Sequence, residues 1–580
     1  VEDVMPLTKG KQTFDITKNV ANVLDFGAIG DGVTDDTVAI QAALDASNNV
    51  FFPDGDYLIT SGVTKVSDDV SVDFGNATII NGGVGYLFTF GTSADTPQNN
   101  GLKVRGGNFI QSVPSTTSNQ NYILIGAVKD FSISSMRLNN VSNGGITVYA
   151  GAEDGVINDI EIPSKSAYST IRGIWLNGAT ASDYASQLMD LDSITRNATA
   201  VPIYAVKNVK ISNCTLTYGG YGIYCMNTRD VTIDNNHIDM SGVGSTRCIA
   251  LNNYSPGAIV CNNRLISDRS CTGILVTQYS HDVVITGNVF SGSFGGNRAI
   301  YVAYLASVLI TGNRFSDETT QHIEINTGGF ASVLNNEFFP SAYIAFFRVI
   351  LLSALDATSL SQGSTAGVIA NSGLLFKNNT VSNRSVIVRA DMSLASTVNE
   401  NQPCVDTLEV SNNTVLNFQG TGGGEYLVEI NTGSSGNVQD YYYKNNSLHP
   451  YTGSLRNRVV LVGTDYRELM SNTDFGLFSV VNEAGAGAIT STKLVGSSYS
   501  CVATRSANNI IVSPRTQFGT SGASVPPIIG IVDELGTAAS FRIVRSSANY
   551  TITALDSTGA LIPSSTTAIK FSLLIGPSAT

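Results

Sequence analysis

The chain has 580 residues, 46 acidic against 33 basic, and a formal net charge of −13. That balance argues against general nucleic-acid binding, yet leaves room for an acidic ligand held by a few local arginines. Charged residues make up only 14% and Gly numbers 56, a composition of packed β-structure and turns rather than of disorder. No stretch approaches the ~20 apolar residues of a membrane span, so no membrane insertion is expected, and the segment from Val1 does not read as a signal peptide.

Residues 1–22 are a polar lead-in or neck. "VLDFGAIGDGVTDDTVAIQAALDAS" (23–47) follows, a Gly-rich loop and then a helix capped by Thr34 or Asp35 and packed through Val38, Ile40, Ala43 and Leu44. "VFFPDGDYLIT" (50–60) reads as strand, Pro-Asp-Gly turn and strand. A lone helix ahead of a long β-rich run is expected to cap the end of a repeat domain, because an open end exposes strand edges and apolar core. Residues 23–100 are read as this cap plus the first coils.

From 101 to 469 the chain repeats itself. "VVITGNVF" (283–290) returns as "VLITGNRF" (308–315), and related copies include "VTIDNNHI" (231–238), "ASVLNNEF" (331–338) and "LEVSNNTV" (408–415). Neighbouring copies lie 23 to 27 residues apart in the middle and 33, 34 and 43 farther on. A period of twenty-odd residues marks a solenoid. Apolar residues alternate within each copy, so each is a strand, and Asn or Gly then breaks it with a left-handed turn. A further alternating run precedes many copies: "GIWLNG", "GIYCMN", "CIALNN", "GILVTQ", "AIYVAY", "HIEINT". Two or three strands per coil with no helix between them predict an all-β, parallel β-helix, its inward Ile, Val and Leu in columns and its Asn able to ladder at the turns.

"DFGAIGDGVTDDTVAIQAAL" and "FFPDGDYLI" resemble the entry motif of the pectate-lyase-like β-helix superfamily, which includes polygalacturonases, pectate lyases and bacteriophage tailspikes. The resemblance spans about residues 20–450 and implies right-handed coiling. The pectinase motifs are absent, and a β-rich region at 470–580 follows the repeats. The resemblance is therefore to a phage tailspike. It implies a homotrimer on the virion tail, docked to the baseplate or tail by an N-terminal segment, assembled in the host cytoplasm and acting on a bacterial capsular or O-antigen polysaccharide as receptor-binding depolymerase. It also implies a C-terminal β-sandwich-like domain that assists trimerisation and can bind carbohydrate. Segments 177–205, 341–372 and 382–405 read as loop insertions, suited either to walls of a binding site or to packing against a neighbouring subunit. The seven cysteines form no Cys-x-x-Cys pair and are expected as reduced thiols. The four histidines lack metal-ligand spacing. Neither metal nor cofactor is expected.

Aligning the third strands by Ile146, Ile174, Ile223, Ile249, Ile274, Ile300 and Ile323 gives an outward column of Thr147, Trp175, Tyr224, Ala250, Leu275, Tyr301 and Glu324. A second outward column holds Asn252 and Asn326, and Arg247 and Arg298 stand just ahead of their strands. An exposed face of Trp175, Tyr224, Tyr301, Arg247, Arg298, Asn252 and Asn326 suits sugars, by aromatic stacking and by hydrogen bonds to hydroxyls or carboxylates; burial between subunits is the competing reading. Glycoside hydrolysis needs two carboxyl groups, and the candidates are Glu324 first, with Asp317, Glu318 and Asp268; Asp192 and Glu153 are weaker. A lyase instead needs a base and a cation that neutralises a uronate, drawn from Tyr301, Tyr224, His322, Arg298 and Arg247, though His322 beside inward Ile323 reads as structural.

Overall fold

The computed structural model describes residues 20–463, less a set of segments of which 179–204, 354–371 and 392–403 are the longest, together with the strands between 476 and 575. Parallel strands of short length dominate up to residue 463. The first two strands of each coil join a 29-stranded sheet and the third strands a separate 14-stranded sheet. The result is a right-handed-type parallel β-solenoid.

Its core follows from the alternation. In the 14-stranded sheet the register carries Ile146 onto Ile174, Ile223, Ile249, Ile274, Ile300 and Ile323, and every one of these is fully buried. Leu216, Ile238, Leu265, Phe290, Phe315 and Phe338 form another inward column. Phe290, Phe315 and Phe338 stack nearly parallel with centroids 4.6 Å apart. Each fully buried residue of this kind contributes roughly 1.5–3 kcal/mol of burial free energy.

The Asn/Gly-Asn pair divides two tasks. Its first residue takes the left-handed region: Asn235, Asn262, Gly287, Gly312, Asn335, Asn378 and Asn412 have φ between 54° and 66°. Its second residue builds a ladder. Asn288 Oδ1 accepts from the Asn263 backbone N–H and Nδ2, both at 2.9 Å, and Asn288 donates in turn to Asn313 Oδ1 at 3.0 Å. The same contacts link Asn236, Asn336, Asn379, Asn413 and Asn446.

The helix spans Thr37–Ala46, and two details differ from expectation. Asp36 occupies the N-cap position without a side-chain cap bond, because its carboxylate accepts from the Ile29 and Gly30 N–H at 2.6 and 3.2 Å and so fixes the Gly-rich loop, while the expected Asp35 accepts from the first helical N–H, that of Thr37, at 3.1 Å. Val38 is 80% exposed, since the buried face runs through Ile40, Ala43 and Leu44, whose i, i+3, i+4 spacing excludes position 38. Gln41 exchanges two hydrogen bonds with the Thr64 backbone, each 2.9 Å.

Two segments read as insertions belong partly to the solenoid. Ile344–Ser353 and Arg384–Asp391 are strands of the 14-stranded sheet. The longer spacing around them hid their alternation. Beyond 463 the pairing turns antiparallel, in two four-stranded sheets.

Candidate functional site

The outer face of the 14-stranded sheet gathers most of the candidate binding residues. Period-two alternation with inward Ile sends each following residue outward, and the register sets Thr147, Trp175, Tyr224, Ala250, Leu275, Tyr301 and Glu324 in one column. Beside it, Asn177 aligns with Met226 and Asn252, and Ala303 with Asn326. Ahead of it run Arg172, Tyr221, Arg247 and Thr272, with Arg298 on a later coil.

This face is outward but not open. Tyr224, Ala250 and Leu275 form a small buried cluster packed by Trp175, Tyr221, Met226 and Tyr301. Wide side chains close over narrow ones, so Ala250 and Thr147 are fully buried although they point away from the core. The rings meet edge to face, Trp175 with Tyr149 at 6.3 Å and with Tyr224 at 6.4 Å. The Arg172 guanidinium covers the Trp175 ring at 4.0 Å. Asn252 Nδ2 donates to the Tyr224 hydroxyl at 2.9 Å, and Arg247 donates to the Tyr221 hydroxyl at 2.8 Å. The expectation of freely exposed rings is corrected accordingly: they are mutually packed, and Arg172 occupies a face of the indole.

Polar groups with nothing to bond are concentrated here. Asn121 Oδ1, Thr147 Oγ1, Arg172 Nε, Trp175 Nε1, Asn177 Oδ1 and Arg247 Nε are buried and find no hydrogen-bond partner among the described residues, and all lie on strands of this sheet. Unsatisfied buried groups are rare and costly, of order 1–3 kcal/mol each. Their gathering on one face sets that face apart from the rest of the solenoid surface.

Glu324 is 3% exposed. Arg298 Nε donates to its Oε2, and Asn326 Nδ2 reaches its Oε1 at 3.5 Å. Arg298 also lies over the Tyr301 ring at 5.1 Å. Glu324, Arg298, Tyr301 and Asn326 therefore converge on two adjacent coils. Asp317 ends the strand Arg314–Asp317, and three residues separate it from the strand of Glu324, Gln321–Asn326. Its register partner is Gly292, whose own partner is Ser267, which puts Asp268 one residue past that column. Asp268 is exposed and accepts from the Gly242 N–H at 2.6 Å, the work of a turn residue. Glu318 and Asp192 lie outside the described residues. Glu153 pairs with Lys129 and Lys207 at 3.9 and 4.0 Å, away from this face. His322 is fully buried against Phe315 and Phe338, facing the core rather than a ligand.

Burial raises the Tyr224 phenol above its ordinary value, with the Asn252 hydrogen bond opposing. A phenol held in that way donates a hydrogen bond readily and gives up its proton reluctantly. Among the described residues no group of three or more His, Cys, Asp or Glu converges to hold a metal.

The register also reveals residues that the sequence alignment missed. Glu324 continues to Leu351, Arg389 and Glu429, and Asn326 to Ser353, Asp391 and Asn431. Their signal was "SVIVRAD" and "YLVEIN", ordinary alternations displaced by the stretched spacing.

Residues 20–246 match the family model for rhamnogalacturonase A/epimerase, pectate lyase-like. Residues 157–345 match the model for periplasmic copper-binding protein NosD. Mannuronan C5-epimerase AlgE1 of Azotobacter vinelandii is 45% identical over 69 residues, 11% of this chain and 5% of that protein. Plasmin and fibronectin-binding protein A of Streptococcus pneumoniae is 40% identical over 87 residues, 14% of this chain and 12% of that protein. The matches thus span only small parts of these curated relatives. Among solved structures, a mutant tailspike protein of E. coli bacteriophage HK620 in complex with pentasaccharide superposes with a TM-score of 0.56 at 12% identity, over 97% of this chain and 95% of that one. That likeness is one of fold.

Proposed function

We propose that this chain, which carries a pectate-lyase-like domain over residues 20–246, is a phage tailspike that binds and depolymerises a bacterial surface polysaccharide. The observation that carries the reading is the gathering of unsatisfied donors and acceptors with Trp, Tyr and Arg on one outer face of the solenoid. Sugars offer hydroxyls to the former and C–H faces to the latter. The tailspike assignment, the homotrimer and the virion location draw support from the shared fold and the entry motif. In this reading the helix Thr37–Ala46 closes the solenoid end, and the two C-terminal antiparallel sheets pack as a sandwich.

Cleavage proceeds by hydrolysis with two carboxyl groups. One protonates the glycosidic oxygen as the C–O bond breaks. The other takes a proton from water as its oxygen joins the anomeric carbon, or attacks that carbon itself before water releases the sugar. Glu324 is the leading carboxylate, with Asp317 at the end of the preceding strand as its partner and Glu318 and Asp268 behind it. Arg298 beside Tyr301 favours a second reading, β-elimination at a uronic acid, with the arginine neutralising the carboxylate and the tyrosine taking the α-proton.

The test is to incubate the protein with purified capsular and O-antigen polysaccharides and analyse products by mass spectrometry and ultraviolet absorbance. Fragments that gain water and carry new reducing ends are expected. Unsaturated uronates would establish elimination instead. Binding without fragments would leave a receptor spike.

A further inference from the structure

The outward column ahead of Trp175 has a regularity of its own. Along adjacent coils it reads Arg172, Tyr221, Arg247, Thr272 and then Arg298. An arginine stands on every second coil. With coils ~4.8 Å apart, successive arginines are ~10 Å apart along the solenoid axis. That rise is close to the length of an extended disaccharide.

The arginines are also prepared alike. Arg172 lies 4.0 Å from the Trp175 centroid, Arg247 5.2 Å from Tyr221 and Arg298 5.1 Å from Tyr301. A guanidinium stacked on a ring is fixed in orientation and keeps its N–H edges for acceptors in its plane. Glu324 fills the edge of Arg298. Arg172 and Arg247 show no acidic partner among the described residues, and the Nε of each is buried without a hydrogen bond. In a chain of net charge −13, two ring-stacked cations on one face, without an acidic partner among the described residues and with only the Tyr221 hydroxyl taken by Arg247, call for an anionic ligand.

We propose that the polysaccharide taken by this face is acidic, carries a carboxylate on every second sugar, and runs along the solenoid axis with successive carboxylates on Arg172 and Arg247. The inference rests on the glycan-binding reading above and names its substrate class. Each carboxylate makes a two-point, charge-assisted contact with a stacked guanidinium. At the third arginine the protein supplies its own carboxylate, Glu324. A further sugar carboxylate is repelled there, and the chain is held in one register relative to Glu324.

The test measures binding by calorimetry, at low and high salt, to purified bacterial polysaccharides with acidic and with neutral repeats. Each acidic polymer that binds is compared with its own carboxyl-reduced form. Acidic polymers alone should bind. Carboxyl reduction and Arg172→Gln or Arg247→Gln should each weaken binding by about 10-fold or more, an effect that shrinks as salt rises. Arg172→Lys keeps the charge and loses the two-point contact, so an intermediate loss in a variant of native circular dichroism separates recognition from misfolding. Equal binding of the carboxyl-reduced polymer, or tight binding of a neutral one with the arginine variants unchanged, overturns the acidic class and leaves the glycan reading standing. Absence of binding to every polymer removes the glycan reading itself.

Discussion

Glu324 combines two demands on one side chain. It is nearly inaccessible, yet it is ion-paired and stands beside the groups that would face a glycan. Glu324→Gln keeps its shape and removes its charge. If Glu324 is a reacting carboxylate, turnover should fall by about 100-fold or more, the scale of general acid–base assistance, while polymer affinity stays within a few-fold. Steady-state kinetics on the cleaved polymer check this, and undiminished turnover would remove Glu324 from the chemistry. Tyr224 decides between mechanisms in a different way. Burial pushes its phenol upward, so its phenolate forms only on the alkaline side of the ordinary phenol range. Elimination in which Tyr224, rather than Tyr301, took the α-proton should therefore accelerate steadily into alkaline pH and vanish in Tyr224→Phe. Hydrolysis by carboxylates should instead fall on the alkaline side, as the carboxyl that protonates the glycosidic oxygen ionises, and that descending limb is the expected pH–rate profile. The outward positions of Trp175, Tyr224 and Glu324 were legible in the sequence because strand alternation is strict. Their mutual packing was not, since it depends on which widths stand next to each other on successive coils.

At the scale of the coil, the turn is the decisive element. The sequence showed an Asn/Gly-Asn pair; the structure separates a left-handed residue from a buried ladder residue. Asn288→Ala deletes the acceptor for the Asn263 N–H and Nδ2 and the donor to the Val260 carbonyl. With two or three buried groups left unpaired, the loss should be about 2–4 kcal/mol, read as a lower denaturation midpoint. Replacing the exposed neighbour in the next turn, Gly312→Asn, should cost little, because Asn takes the same φ at Asn262 and Asn335. The core thiols supply a second prediction. Burial pushes Cys214 up to about 12, and it raises Cys225 and Cys248 as well. Unfolded thiols titrate near ~8.5, so the folded state holds protons that the unfolded state releases. Their contribution to stability is complete below that value and is lost as pH rises toward the folded values. Midpoints at neutral pH and at about pH 10 should differ, and Cys214→Ala should reduce the difference. The extra sheet strands Ile344–Ser353 and Arg384–Asp391 escaped the sequence reading for a simple reason. Alternation identifies a strand, but only a constant spacing tells which coil it belongs to.

For the whole molecule, the solenoid restricts how a site can be shared. Arg172, Arg247, Arg298, Tyr301 and Glu324 all stand on one sheet of one chain, linked by unbroken register. The trimer proposed above should appear in light scattering at three times the 61.1 kDa chain mass. It need not assemble this face. Co-expressing wild-type and Glu324→Gln chains at varied ratios distinguishes the possibilities. If each face works alone, activity per trimer should fall in direct proportion to the fraction of variant chains. If a neighbouring subunit completes the site with a residue of its own, Arg247→Gln chains mixed with Glu324→Gln chains should recover activity that neither homotrimer has. Proportional loss and no such rescue are expected, because the candidate residues named on this face all stand on a single run of coils.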